Sequence, residues 1–316
     1  MTNNYGSMEN YYNMVKKYLP GGVHYNFNLP WEERPLFFKD TRDSRVIDID
    51  GNEYLDLYAR FGAMILGHKN KEYIEAIKES IDRVFCVSHS LYDEVVLEKI
   101  VNIIPSAEMV RFGLSGTEMV QNAIRLARAY TRRDKFIRFI NHYHGNADNI
   151  MGGKQDKITS HPRDYRGDFK GTLGREEGVF EHSYLLPWND KDVITEFLAD
   201  HHEEVAAIIT EPICVNGGSI MPADGYLEAI RALCDKYGIV LIFDEIITGF
   251  RTGVGGAQTL FNVTPDLTIL GKAIAGGGVP VSAIAGKEKI MKYYVSKKVV
   301  HAGTFNGYPT GMAAIH

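Results

Sequence analysis

The sequence predicts an α/β chain in which a central, mostly parallel sheet is covered by helices on both faces and follows an N-terminal segment of short strands. Three observations carry this. Apolar runs of strand length recur at 109–112, 135–140, 205–210, 239–243 and 267–270, and they are apolar throughout rather than alternating, as strands covered on both faces must be. Amphipathic stretches of helical period stand between several of them. With 316 residues, 45% hydrophobic and 24% charged, the chain can bury a large core and hold about two domains, on a soft prior of roughly 150 residues each.

The first 69 residues are rich in turns, with Pro20-Gly21-Gly22 and then a 45–57 stretch that alternates polar and apolar around Asp50-Gly51-Asn52, a hairpin signal. From Lys71 the period changes: Tyr73, Ile74, Ile77, Ile81 and Val84 recur at helical spacing, and Val95, Val96, Leu97, Ile100 and Ile103 form a second helix. A strand over 109–112, a helix over 117–130 and a strand over 135–140 follow. Residues 152–181 are polar, glycine-rich and aperiodic, a long loop of the kind tied to function. Strand 205–210, helix 226–237 and strand 239–243 come next, then strand 267–270, which runs through Lys272 into Gly276-Gly277-Gly278. Residues 308–316 open an apolar helix with Pro309 near its start. No cap or polar tail follows, so the chain reads as truncated at that end. The expected division is an N-terminal segment over 1–69 and a large domain over 70–316.

A net charge of −5 without a dense basic block gives no electrostatic case for nucleic acid. Cys86, Cys214 and Cys234 are too few and too scattered for a disulfide framework or a paired metal spacing, which fits a reducing cytoplasm. Residues 1–12 lack a signal-peptide pattern, and no apolar stretch reaches the roughly 18 residues of a membrane helix. A cytoplasmic protein with no metal, no membrane and no nucleic-acid partner is expected.

In open α/β sheets ligands collect at the carboxyl ends of the strands. Four groups fall there: Asp244 with Glu245 after 239–243, Glu211-Pro212 after 205–210, Tyr143-His144-Gly145 after 135–140, and Lys272 after 267–270. Ser115-Gly116-Thr117 follows a strand and opens a helix, where hydroxyls and N–H groups can converge on an anion. Each has an ordinary alternative. Most lysines are surface charge, and Ser115 with Glu118 has capping-box spacing that needs no ligand. Arg111 reads as structural.

Together the groups match pyridoxal phosphate, which needs a lysine for its aldehyde, an acid at the pyridine nitrogen, an anion cradle and a flat partner for the ring. Lys272, Asp244, Ser115-Gly116-Thr117 and Tyr143 offer one each. A lysine amine can also move a proton between carbon atoms.

Asp244-Glu245-Ile246-Ile247-Thr248-Gly249-Phe250-Arg251 and Gly271-Lys272-Ala273-Ile274-Ala275-Gly276-Gly277-Gly278 resemble the class III aminotransferases of PLP fold type I, and within them the glutamate-1-semialdehyde 2,1-aminomutases. Ser115-Gly116-Thr117-Glu118, Tyr143-His144-Gly145 and Glu211-Pro212 support the resemblance, which covers nearly the whole chain. It implies Lys272 as the Schiff-base lysine, Asp244 at the ring nitrogen, and Ser115, Gly116 and Thr117 at the phosphate. Tyr143 and Ile246 would flank the ring, Glu211 and Asn216 would lie near the ring hydroxyl and substrate, and His144 would stand behind them. Thr304 would reach the phosphate of a neighbouring subunit, making a homodimer part of the site. Residues 1–69 would be an arm and part of a small domain, whose C-terminal portion the resemblance places beyond His316.

The aminomutases carry Asn-Ser-Pro-Val-Arg after Pro-Gly-Gly-Val, whereas this chain reads His24-Tyr25-Asn26-Phe27-Asn28. Asparagine cannot replace a bidentate guanidinium, so a free α-carboxylate at that point is disfavoured. An aminotransferase acting on a small amine, an amino acid or a carrier-tethered acyl chain is the leading expectation. An aminomutase is the runner-up, followed by an inactive truncated protein of this fold. A dinucleotide oxidoreductase is disfavoured because no Gly-x-Gly-x-x-Gly follows an early strand.

Overall fold

The computed structural model describes residues 7–25, 35–152, 174–176 and 178–316. Helix α1 (Met8–Val15) starts at Ser7, whose hydroxyl accepts the Asn10 N–H. Strands β1 (Phe38–Arg42), β2 (Arg45–Asp48) and β3 (Glu53–Leu55) form an antiparallel sheet of their own. The expected hairpin is β2–β3, and Gly51 takes φ 100° in its turn. Asp48 holds that turn, accepting from the Asn52 N–H, Asn52 Nδ2 and the Tyr54 hydroxyl at 2.8, 2.9 and 3.0 Å. Four residues later, α2 (Ala59–Gly62) is a left-handed turn. The two predicted helices follow as α3 (Lys71–Arg83), capped by Asn70, and α4 (Tyr92–Ile103).

The large sheet is assembled from β4 (Met109–Gly113), α5 (Gly116–Thr131), β5 (Lys135–Phe139), β6 (Ser183–Leu186), α6 (Lys191–His201), β7 (Val205–Thr210), α7 (Tyr226–Tyr237), β8 (Val240–Asp244), α8 (Gly256–Leu260), β9 (Leu267–Leu270), β10 (Ser282–Gly286), α9 (Glu288–Val295) and α10 (Pro309–Ile315). Its order is β4-β10-β9-β8-β7-β5-β6, with β10 antiparallel to both neighbours and the other pairs parallel. This bears out the mostly parallel sheet. Strand β10 escaped the sequence reading because Ser282-Ala283-Ile284-Ala285-Gly286 is a run of small residues. Strand β6 escaped because it follows directly on the long polar stretch. Most of the loop read at 152–181 lies outside the described residues, as do 26–28 of the departing segment.

Successive strand residues face opposite layers. Val240 and Ile242 pack with α5 and α9, while Leu241 and Phe243 pack with α6 and α7. Both faces are covered, which is why the strands are apolar throughout. Each such side chain withdrawn from water contributes about 1.5–3 kcal/mol. A third cluster joins α4, α10, β4 and β10. The sheet is thus fixed from both sides, and the loops at its carboxyl edge carry the chemistry.

Candidate active site

A cavity of about 550 Å³ opens at the carboxyl ends of β7, β8 and β9, beside the N-terminus of α5. Lys272, two residues past the end of β9, lines it from a backbone at φ 47°, a left-handed conformation rare for a side-chain-bearing residue. Burial pushes its amine below the ordinary lysine range, against the Asp244 and Glu211 carboxylates, which favour the cation. Of the glycines that follow, Gly277 and Gly278 line the cavity and also let the chain pack closely. A Cβ on Gly277 would lie 2.4 Å from the Ala63 carbonyl oxygen, and one on Gly278 would lie 2.8 Å from the Tyr73 ring.

Asp244 ends β8, almost completely buried, and also lines the cavity. Its Oδ2 accepts from His144 Nδ1 at 2.7 Å and its Oδ1 from the Ile246 N–H at 3.2 Å. A carboxylate can only accept, so His144 carries its proton on Nδ1. The buried Nε2 of His144 finds no partner among the described residues. Glu211, after β7, accepts from the Tyr143 N–H at 2.7 Å, Asn216 Nδ2 at 2.8 Å, the Val215 N–H at 2.9 Å and the Asn216 N–H at 3.3 Å. Burial raises its carboxyl above the usual range in spite of His144 and these donors. Glu211 thereby fixes the backbone at Tyr143 and the amide of Asn216, both of which face the cavity.

Gly116 and Thr117 line the cavity at the start of α5, where first-turn N–H groups have no partner within the helix. Any side chain at Gly116 would collide with Ile246, since its Cβ would sit 2.3 Å from Cδ1. Thr117 Oγ1 is held by Asn146. Ser115 is the helix cap, its Oγ accepting the Glu118 N–H at 3.2 Å. The reciprocal bond of a capping box is shifted by one residue, because Glu118 accepts the Leu114 N–H rather than that of Ser115.

The structure therefore brings Lys272, Asp244, Glu211, Asn216, Tyr143, Ile246, Gly116 and Thr117 to one cavity. His144 touches it through Asp244, and Ser115 stands beside it on the exposed cap. Thr304 is exposed and outside the cavity. Glu245, next to Asp244, turns the other way and accepts from the Ala257 and Gln258 N–H groups of α8. Sequence reasoning passed over Arg60, Leu114, Ile213 and residues 279–281, which also line the space. Leu114 and Ile213 flank motifs without belonging to them, and Arg60 lies in a turn that only the fold brings there.

The set fits pyridoxal phosphate: a half-buried amine of lowered pKa, a hydrogen-bonded carboxylate, open helix N–H groups for an anion, and Tyr143 and Ile246 for a flat ring. Residues 29–316 match Aminotransferase class-III. The chain is 41% identical over 300 residues to the glutamate-1-semialdehyde 2,1-aminomutase of Desulfovibrio desulfuricans, covering 94% of this chain and 69% of that protein. Among solved structures it is similar to an omega-transaminase from Sphaerobacter thermophilus, at a TM-score of 0.87 and 31% identity, over 99% of this chain and 73% of that one. It is also similar to a transaminase with PLP bound, at a TM-score of 0.85 and 29% identity, over 96% of this chain and 70% of that one. Fold, matched residues and site chemistry agree, and the chain belongs to the class III aminotransferase family, whose cofactor is pyridoxal phosphate.

Proposed function

We propose that this cavity carries out pyridoxal-phosphate-dependent transfer of an amino group between an amino donor and a carbonyl substrate, with Lys272 as the residue that holds the cofactor. The observation that carries the reading is the half-buried Lys272 amine sharing one cavity with Asp244, Glu211 and the N-terminus of α5. Bound there, pyridoxal phosphate supplies an aldehyde for the substrate nitrogen and a ring that draws electrons from the neighbouring carbon. Asp244, held in place by the donors His144 Nδ1 and Ile246 N–H, would be the acid that partners the ring nitrogen. Gly116 and Thr117 N–H groups would hold the phosphate, with Ser115 beside them. Tyr143 and Ile246 would flank the ring, while Glu211, which holds the Asn216 amide, would lie with it near the ring hydroxyl and substrate. The Lys272 amine would act as base and then acid, taking the proton from the substrate carbon that bears the nitrogen and delivering it to the carbon on the other side of that nitrogen.

The finer reading is a transfer between two molecules, from a small amine or amino acid or to a carrier-tethered carbonyl, in the cytoplasm. Asn28, where the aminomutases carry an arginine, supports it, since asparagine cannot replace a bidentate guanidinium. The aminomutase reading is favoured by a different observation, the relatives of that name at 38–41% identity. Turnover of glutamate-1-semialdehyde with no added donor or acceptor decides for the mutase. Conversion only when a second amine or keto acid is present decides for transfer between molecules. A homodimer belongs to the same proposal, supported by Leu57, Phe85 and Leu91 standing 85%, 71% and 88% exposed. So does the division into a 1–69 segment and a 70–316 domain, supported by the separate β1–β3 sheet. No helix among the described residues is long and apolar enough to cross a membrane.

The cofactor assignment is tested by the visible absorbance of the protein mixed with pyridoxal phosphate. The parent should show a band that Lys272→Ala lacks; an identical spectrum from both rejects Lys272.

A further inference from the structure

Arg60 lines the cavity from its solvent-exposed side, and no described residue accepts a hydrogen bond or forms an ion pair with it. The other charges lining the space are engaged. Asp244 is paired with His144, Glu211 accepts four donors, and the Lys272 amine faces both carboxylates. Arg60 thus brings a guanidinium with five donors and no acceptor to the wall of the cavity.

Its placement is held against backbone preference. Ala59, Arg60 and Phe61 take φ 47°, 53° and 56°, with Gly62 at 79°, a left-handed turn costing about 1–2 kcal/mol for each of the three L residues. Such a turn persists only where its surroundings over-determine it. Here Asp56 Oδ1 accepts the Tyr58 and Ala59 N–H groups at 3.0 and 2.9 Å, while His68 bonds Asp56 Oδ2 at 2.8 Å. Arg251 Nη2 donates to the Gly62 carbonyl at 2.7 Å, and Gly277, from the loop of Lys272, packs on the Ala63 carbonyl. The turn bearing Arg60 is therefore clamped to the loop that bears the reactive amine.

Resting on the amino-transfer reading above, we infer that Arg60 is a specificity-determining residue that binds a carboxylate of the substrate, so that this site takes amino acids or keto acids in preference to simple amines. Planar guanidinium and carboxylate match as a bidentate pair. Arg60 thus offers the carboxylate contact that Asn28 cannot, from a different part of the chain. The anion that competes for it is the cofactor phosphate, for which the N-terminus of α5 already provides donors.

The test compares matched pairs, alanine with ethylamine and 3-amino-3-phenylpropanoate with 1-phenylethylamine, in the conversion of the bound cofactor followed by absorbance. The parent should favour the acid of a pair. Arg60→Asn should lower the acid-to-amine ratio of kcat/KM roughly 10- to 100-fold, the size of a hydrogen bond between charged groups, and Arg60→Lys should recover part of it. Asparagine tolerates the left-handed region better than arginine, so the variant should melt no lower than the parent. An unchanged ratio, or a loss confined to affinity for pyridoxal phosphate, overturns the assignment. In parallel, 3-phenylpropanoate is titrated calorimetrically into the cofactor-loaded protein. Binding that weakens at least tenfold in Arg60→Asn supports the clamp, whereas equal binding, or none to the parent, overturns it. Should no acid or amine convert the cofactor in the parent, the amino-transfer reading fails and the calorimetric arm alone judges Arg60.

Discussion

Lys272 shows how one burial serves chemistry at the expense of stability. Its amine is disfavoured as a cation, so in the cofactor-free protein the folded state binds that proton less tightly than the unfolded chain does. Between the lowered folded value and 10.5, the unfolded state carries the extra proton and stability rises with pH. In urea unfolding of the cofactor-free protein, the parent should therefore gain stability relative to Lys272→Met as pH increases from about 7 toward 10. A difference that does not change with pH would reject the lowered amine. In the proposed reaction Asp244 would act electrostatically, so Asp244→Asn, which keeps the shape, should lower kcat by on the order of 10²-fold, as loss of one preorganised electrostatic group does. Steady-state kinetics with saturating cofactor measures it. The lysine and the aspartate were legible because each closes an apolar strand; the His144 contact to Asp244 was not, since it joins residues a hundred positions apart.

At the scale of elements, the glycine cluster after Lys272 has acquired a definite task. It lets two loops touch: Gly277 at φ 87° lies against Ala63, and Gly276 and Gly278 lie against Tyr73. Gly277→Ala should destabilise the protein by more than ~1 kcal/mol, because the new Cβ meets a backbone carbonyl in a conformation that side chains avoid. A denaturant midpoint equal to the parent's would contradict that contact. Helix α5 and strands β5, β7, β8 and β9 were readable from period and apolarity, and their ends placed most of the cavity. The left-handed turn at 59–62 was not, since of its four residues only Gly62 signals a positive φ. That is why Arg60 went unnoticed in the sequence.

At the scale of the molecule, Thr304 remains apart from the cavity of its own chain, and the proposed dimer gives it a place. Sedimentation should return twice the 35.5 kDa of one chain. Mixing Lys272→Ala with Thr304→Ala subunits should restore activity above either parent variant, because one site of the mixed dimer then carries neither defect. If Thr304 served its own subunit, every mixed site would carry one defect and nothing would be restored.

The sequence by itself determined the layered α/β architecture and placed Lys272 and Asp244 where the sheet's carboxyl ends meet, because these follow from local period and from residue type at strand ends. Only the tertiary structure decided that β10 runs against its neighbours, that Glu245 faces away while Glu211 faces in, and that Arg60 enters the cavity. Those outcomes depend on contacts between distant segments, and the packing that makes them leaves no period in the chain.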